Sequence, residues 1–104
     1  MKLEYSIDAK SDLKQIDEEI RERIVKQIEK LQHNAIPENS RFIELGDLEL
    51  FRLKLQKKDR NSDLNHRIFY QIINNNKVIV RAIFHRRKGY GKQTKKELES
   101  RVKN

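Results

Sequence analysis

Leu3, Tyr5 and Ile7 alternate with Lys2, Glu4 and Ser6, the period-two pattern of a short strand with one buried face. The period then changes. Leu13, Ile16, Ile20, Ile24, Ile28 and Leu31 recur at spacings of three and four, an amphipathic helical stripe running to about Gln32. Asp8 is placed to cap a helix opening at Ala9, and the acidic run Asp17-Glu18-Glu19 suits the first turn of another. The spacing therefore predicts two antiparallel helices, near 9–16 and 18–33. Their outer face, with Arg21, Glu22, Lys26, Gln27, Glu29 and Lys30, is a mixed-charge surface that asks for no function.

Pro37 stops the helical pattern within a loop at 33–40. Phe42, Ile43 and Leu45 predict a second strand, and Gly46-Asp47 a turn. Phe51, Leu53 and Leu55 alternate with Arg52, Lys54 and Gln56, so Arg52 and Lys54 share the face opposite the apolar residues. A polar connection at 57–65 leads to 67–73, a strand apolar on both faces and hence central. Asn74 to Lys77 is a turn, and 78–84 pairs back antiparallel. Thr94 and Glu97 have capping-box spacing for a last helix to about Val102, lightly anchored by Leu98 and Val102. These elements predict a single α+β domain over 1–104. In it, two N-terminal antiparallel helices pack on one face of a twisted, mainly antiparallel sheet of about four strands, and a short C-terminal helix follows.

Composition narrows the class. Charged residues make up 38% of the 104 residues and hydrophobic ones 36%, so the expected core is real but lean. The chain has no cysteine, which excludes a disulfide framework and any thiolate ligand or nucleophile. No apolar run approaches the ~20 residues of a transmembrane helix, and the N-terminus lacks an apolar leader core, so the expectation is a cytoplasmic protein with no membrane partner.

Net charge is +8, and the last 20 residues carry eight Lys or Arg against two Glu. That excess points either to a polyanionic partner or to a solvated, solubilising surface. Its densest part is Val78 to Tyr90, a strand that delivers His85, Arg86, Arg87, Lys88 and Tyr90 to one place. If neighbouring strands pair, Arg52, Lys54 and Arg67 converge beside it on the face the helices leave open. A one-residue slip in register would reverse that facing. Such a basic face suits a phosphodiester, because Arg and Lys hold phosphate and stabilise charge that develops on it. Tyr90 suits stacking on an unpaired base or packing at the core edge, and His85 suits proton exchange near neutral pH or a backbone hydrogen bond. RNA carries its own nucleophile in the 2′-hydroxyl, so cleavage there needs neither a metal nor a cofactor.

The blocks LGDLELFRLKL, HRIFYQI and VIVRAIFHRRKGY follow the strand–helix–helix start in order. Together they resemble the RelE/ParE superfamily of bacterial type II toxins over nearly the whole chain. RelE-like members enter the ribosomal A site and cut mRNA by 2′-hydroxyl attack. By that resemblance Lys54 is a base or charge stabiliser, and Arg52 and Arg67 are phosphate clamps. Arg86 is the transition-state stabiliser or leaving-group acid, with Arg87 and Lys88 in support on the RNA. Tyr90 stacks on the target nucleotide, and His85 is a secondary acid–base group. The resemblance also implies a cognate antitoxin, which wraps the toxin in a hetero-oligomer and covers or displaces its terminal helix. ParE-like members instead inhibit DNA gyrase without cutting RNA, and an inactive member acting only through its antitoxin is a third alternative.

Overall fold

The computed structural model describes residues 1–56 and 64–103. Most of the 57–65 connection read from the sequence lies outside the described residues. The element order is β1 (Lys2–Tyr5), α1 (Ile7–Lys14), α2 (Glu18–Glu29), β2 (Ser40–Leu45), β3 (Leu48–Lys54), β4 (His66–Ile73), β5 (Lys77–His85) and α3 (Lys92–Lys103). Short 3-10 turns follow α2 (Lys30–Gln32) and β5 (Arg86–Lys88). The sheet has five strands rather than about four, in the order β1-β5-β4-β3-β2. Strands β2 to β5 form an antiparallel meander, while β1 lies parallel to β5 at one edge. That last pairing joins segments 75 residues apart, with Lys2 opposite Lys77, and no local pattern announces it.

The strand and helix signals of the N-terminus shift by a few positions. The first strand ends at Tyr5, and Ile7 opens α1 with its side chain exposed. The cap is Ser6 rather than Asp8: the Ser6 Oγ accepts the Ala9 N–H at 3.1 Å, and Asp8 becomes a first-turn carboxylate. Glu18 and Glu19 open α2 as the acidic run predicted. The tight turns also follow their sequences, with Gly46, Asn74 and Asn75 all at positive φ.

The two sides of the sheet carry separate apolar clusters. On one, Ala9, Ile24, Ile28 and Leu31 of the N-terminal helices cover Leu53, Ile68, Tyr70, Val78, Val80 and Ile83. On the other, Leu98 of α3 covers Leu45, Leu50, Phe69, Ala82 and Phe84. The helices therefore do not all lie on one side, and α3 is better anchored than its two apolar residues suggest. Arg101 explains why. Its guanidinium pairs with both Asp12 carboxylate oxygens, at 2.7 and 3.1 Å, and donates to the Arg81 carbonyl. Asp12 Oδ2 also accepts the Ile83 N–H at 2.9 Å. Because β1 accompanies β5 only as far as Val80, the backbone beyond it would otherwise be an open edge, and these side chains satisfy it.

The capping box expected at Thr94 and Glu97 is absent. The helix already begins at Lys92, Thr94 is buried, and its hydroxyl donates to the Lys88 carbonyl at 3.5 Å. Glu97 reaches sideways instead, to Lys88 at 2.6 Å and Arg101 at 3.2 Å.

One irregularity decides which residues share a face. Phe69 stands opposite Ala82, yet Tyr70 stands opposite Val80, so β5 carries Arg81 as an extra residue. Val78 and Val80 face the N-terminal helices, whereas Ala82 and Phe84 face α3. Simple alternation would have put all four on one side.

Candidate functional site

Alternation on β3 turns Arg52 and Lys54 to the α3 side, away from Leu53 and Leu55. The ladder then supplies their neighbours. Lys54 is directly opposite Arg67, which is opposite Phe84; Arg52 is opposite Phe69, which is opposite Ala82. Directly opposed residues share a face, so three of the basic positions meet on one surface. That surface is the one α3 partly covers, not a face free of helices. Arg86 joins at its end: Lys54, Arg67 and Arg86 line one cleft with Leu55, Leu64, Asn65 and His66. The Arg86 N–H donates to the Asn65 carbonyl at 2.7 Å, which holds the turn after β5 against the start of β4.

The mount under Lys54 is stiff. Its N–H donates to the Asn39 carbonyl at 2.9 Å, and the Asn39 side-chain amide donates back to the Lys54 carbonyl at 2.6 Å. Two residues on, Gln27 of α2 makes a reciprocal pair with the Gln56 backbone, both bonds 2.8 Å. Lys54 thus leaves a fixed strand end while its side chain stays exposed.

Arg52 is half-buried beside the aromatics. Burial, and then the like charges of Arg67 and Arg41, hold its guanidinium below the usual arginine value, with Tyr90 opposing them. The Tyr90 ring lies flat over Phe69, centroids 6.1 Å apart and planes 7° apart, with the Arg52 guanidinium carbon 5.9 Å and Lys95 Nζ 5.2 Å from its centre. Its hydroxyl is buried without a hydrogen-bond partner among the described residues, and burial raises its pKa although Arg52 pulls the other way. Tyr90 is therefore a core-edge aromatic that forms one wall of the basic face.

Three other basic positions do not join this group. His85 stands opposite His66, ring centroids 5.1 Å apart, on the side of the sheet facing the N-terminal helices. Its Nδ1 accepts the Arg87 N–H at 3.0 Å and so caps the turn after β5. Arg87 goes with it, lining a hollow of about 790 Å³ with Asp12, Asp17, His66 and His85. That hollow is larger than the cleft at Lys54, but the cations do not converge there. The Arg81 bulge is the cause: without it, alternation would turn His85 toward Arg67. Desolvation first, then Arg87 and Arg86, lower the His85 pKa; desolvation and then His85 lower that of His66. Lys88 stays on the α3 side but is engaged by Glu97, with its ammonium 4.3 Å from the Phe84 ring centre.

The sequence reading missed Arg41. It is directly opposite Arg52 on β2, on the same face as Ile43 and Leu45. Its period-two relation to those residues was available, but its partner depends on the hairpin register. Among the described residues, no carboxylate comes within ion-pair distance of Arg41, Arg52, Lys54, Arg67 or Arg86. No described group of three or more His, Asp or Glu side chains is placed to hold a metal ion.

Comparison with known structures agrees with this architecture. The chain superposes on a double-mutant E. coli RelE toxin in the free state with a TM-score of 0.66 and 20% identity, covering 98% of this chain and 94% of that one. It superposes on the isolated E. coli RelE toxin with a TM-score of 0.62 and 19% identity, covering 97% of each. At that identity the likeness is one of fold. No curated protein sequence matches significantly. A family model does: residues 3–90, from β1 to Tyr90, match the ParE toxin of type II toxin–antitoxin systems, encoded by parDE. The matched span includes all but the first residue of the sheet and the positions of Arg41, Arg52, Lys54, Arg67 and Arg86, and the chain belongs to this toxin family within the RelE/ParE superfamily.

Proposed function

We propose that this type II toxin is an mRNA endoribonuclease that acts in the ribosomal A site and cleaves by attack of the RNA's own 2′-hydroxyl. The observation that carries the reading is the placement of Lys54 and Arg67 directly opposite one another, with Arg86 in the same cleft and Arg52 in the next row. In the reaction the 2′-oxygen bonds to phosphorus and gives up its proton, the P–O5′ bond breaks, and the leaving oxygen takes a proton. The products are a 2′,3′-cyclic phosphate and a 5′-hydroxyl. The pentavalent transition state gains negative charge on its non-bridging oxygens, which is where fixed cations act most strongly. Arg67 clamps the scissile phosphate and Arg52, one row along, is a phosphate clamp beside it; Arg86 stabilises the developing charge, and Lys54 is the mobile ammonium opposite Arg67. His85 and Arg87 lie on the opposite side and are left out of the chemistry, and Lys88 steadies α3. Tyr90, already packed on Phe69, walls the nucleotide pocket and supports Arg52. The partner that restrains the toxin is its cognate antitoxin.

The family match favours a second reading, gyrase inhibition without RNA cleavage, because the matching family model is that of ParE. Adding the purified protein to a cell-free translation reaction, and in parallel to a gyrase supercoiling assay, separates the two. The expected result is cut mRNA with supercoiling unaffected, and slower cutting by Arg86→Ala and Lys54→Ala with their folds intact. Intact mRNA with blocked supercoiling would overturn the nuclease reading.

A further inference from the structure

We propose that Arg41 and Arg52, opposed across β2 and β3, form a second phosphate subsite beside the Lys54–Arg67 pair, so that this face holds two consecutive phosphates of a single-stranded polynucleotide. The proposal rests on the reading of this face as an RNA-binding surface, and it adds a residue to which that reading gives no role.

The register makes the argument. Along β3, Arg52 and Lys54 are two residues apart, roughly 7 Å of strand. Across the sheet, Arg41 lies one strand to one side of Arg52, and Arg67 one strand to the other side of Lys54. The four cations therefore form two pairs, each bridging one gap of roughly 4.8 Å between strands. The pairs are offset along the strands by about one nucleotide of extended backbone. Read as a line, Arg41, Arg52, Lys54, Arg67 and Arg86 run diagonally from the β2 edge to the turn after β5. A polymer with regularly spaced charge suits that line, and a single phosphate or nucleotide does not need its outer end.

The electrostatics agree. Like charges directly opposed on a ladder are unfavourable, and Arg52 has a second like neighbour in Arg67. Glu38 lines the shallow hollow with Asn39, Ser40, Arg41, Arg52 and Lys54, but it comes within ion-pair distance of neither arginine. The repulsion is thus not offset among the described residues, and a phosphate seated between the two guanidiniums removes it. A plainer account of Arg41 exists: a charge on an edge strand discourages edge-to-edge pairing. That account predicts no contribution to RNA binding.

The test is equilibrium binding of the full chain to a short single-stranded RNA with 2′-O-methyl sugars, which cannot be cut, over a range of salt. Arg41→Ala is expected to weaken binding about fivefold to tenfold and to lower the slope of log affinity against log salt by about 0.7, the value for one phosphate contact on a single strand. Arg41→Lys is expected to recover most of both. A dinucleotide with a single bridging phosphate is expected to bind wild type and Arg41→Ala alike. Since Arg41 is exposed at an edge and directly opposite a like charge, Arg41→Lys should keep the wild-type melting temperature and Arg41→Ala should melt no lower than wild type. Unchanged slope and affinity in Arg41→Ala, with weakened binding in Lys54→Ala, would overturn the second subsite and leave the proposed function standing. No change in either variant would overturn both. A Glu-rich peptide of equal charge that bound as tightly, with the same dependence on Arg41, would overturn the assignment to a polynucleotide.

Discussion

On the side of the sheet facing the N-terminal helices, Ile24, Ile28, Leu53, Ile68, Val78 and Val80 are sealed from solvent in one cluster. On the α3 side, packing stops half way: Leu45, Leu50, Phe69, Ala82, Phe84 and Leu98 are buried, and the rest of the surface is given to Arg41, Arg52, Lys54 and Arg67. The same strands make both faces, alternating side chains between them. A core of this size needs one closed apolar layer to fold, and this domain concentrates that layer on the α1–α2 side. The other face is then free to hold like charges close together, and the proposed RNA-binding role rests on that feature. Stability and charge are divided by the sheet itself.

Four measurements would break or sharpen this division. The largest effect is expected in the closed layer, where Ile24→Ala should cost about 4 kcal/mol in urea unfolding, from lost burial plus the cavity left behind. Leu98→Ala, equally buried but on a terminal helix that can settle, should cost about 2 kcal/mol. Equal costs, or the reverse order, would mean the two faces share the load evenly.

Next is the clasp that joins the faces round the open edge of β5. Asp12→Ala leaves Arg101 without its bidentate partner and the Ile83 N–H unsatisfied, and should cost about 3 kcal/mol. Hydrogen exchange in α3 should rise along with the loss of global stability. Exchange confined to α1 would show that α3 is held mainly by Leu98.

On the basic face the balance should invert. Lys54→Ala is expected to slow RNA cutting on the order of 100-fold while changing stability by no more than about 0.5 kcal/mol, since its side chain is exposed and unpaired among the described residues. A large stability loss there would contradict a face specialised for binding.

The smallest effect concerns the His66–His85 pair on the closed side. Both pKa values are lowered by folding, so the folded state binds fewer protons than the unfolded one. Stability is then full above the unfolded value of about 6.5 and is lost as pH falls from there toward the lowered folded values. Melting temperature should drop modestly between pH 7.5 and pH 5.5, and His66→Gln should flatten the drop. An increase in stability over that range would contradict the sign.

Local signals carried most of the fold. Period two at Phe51–Leu55 put Arg52 and Lys54 on one face, and the structure keeps them there. The three-and-four stripe from Leu13 to Leu31 became α1 and α2, and turn chemistry at Gly46 and Asn74-Asn75 marked two hairpins. Each depends on residues a few positions apart, whose preferences act before any long-range contact forms. The blocks of the resemblance also follow from the chain alone, and the family match from β1 to Tyr90 agrees with them.

Tertiary structure decided the rest, because it turned on contacts far apart in sequence or on a single added residue. The Arg81 bulge swapped the faces of Phe84 and His85, which period-two reasoning cannot anticipate without knowing both strands. The pairing of β1 with β5 and the clasp from Asp12 to Arg101 span more than 70 residues. Arg41 became part of the basic line only when the hairpin register set it opposite Arg52. The chain by itself determined which side chains are cationic and how each strand alternates; the folded sheet decided which of those charges meet.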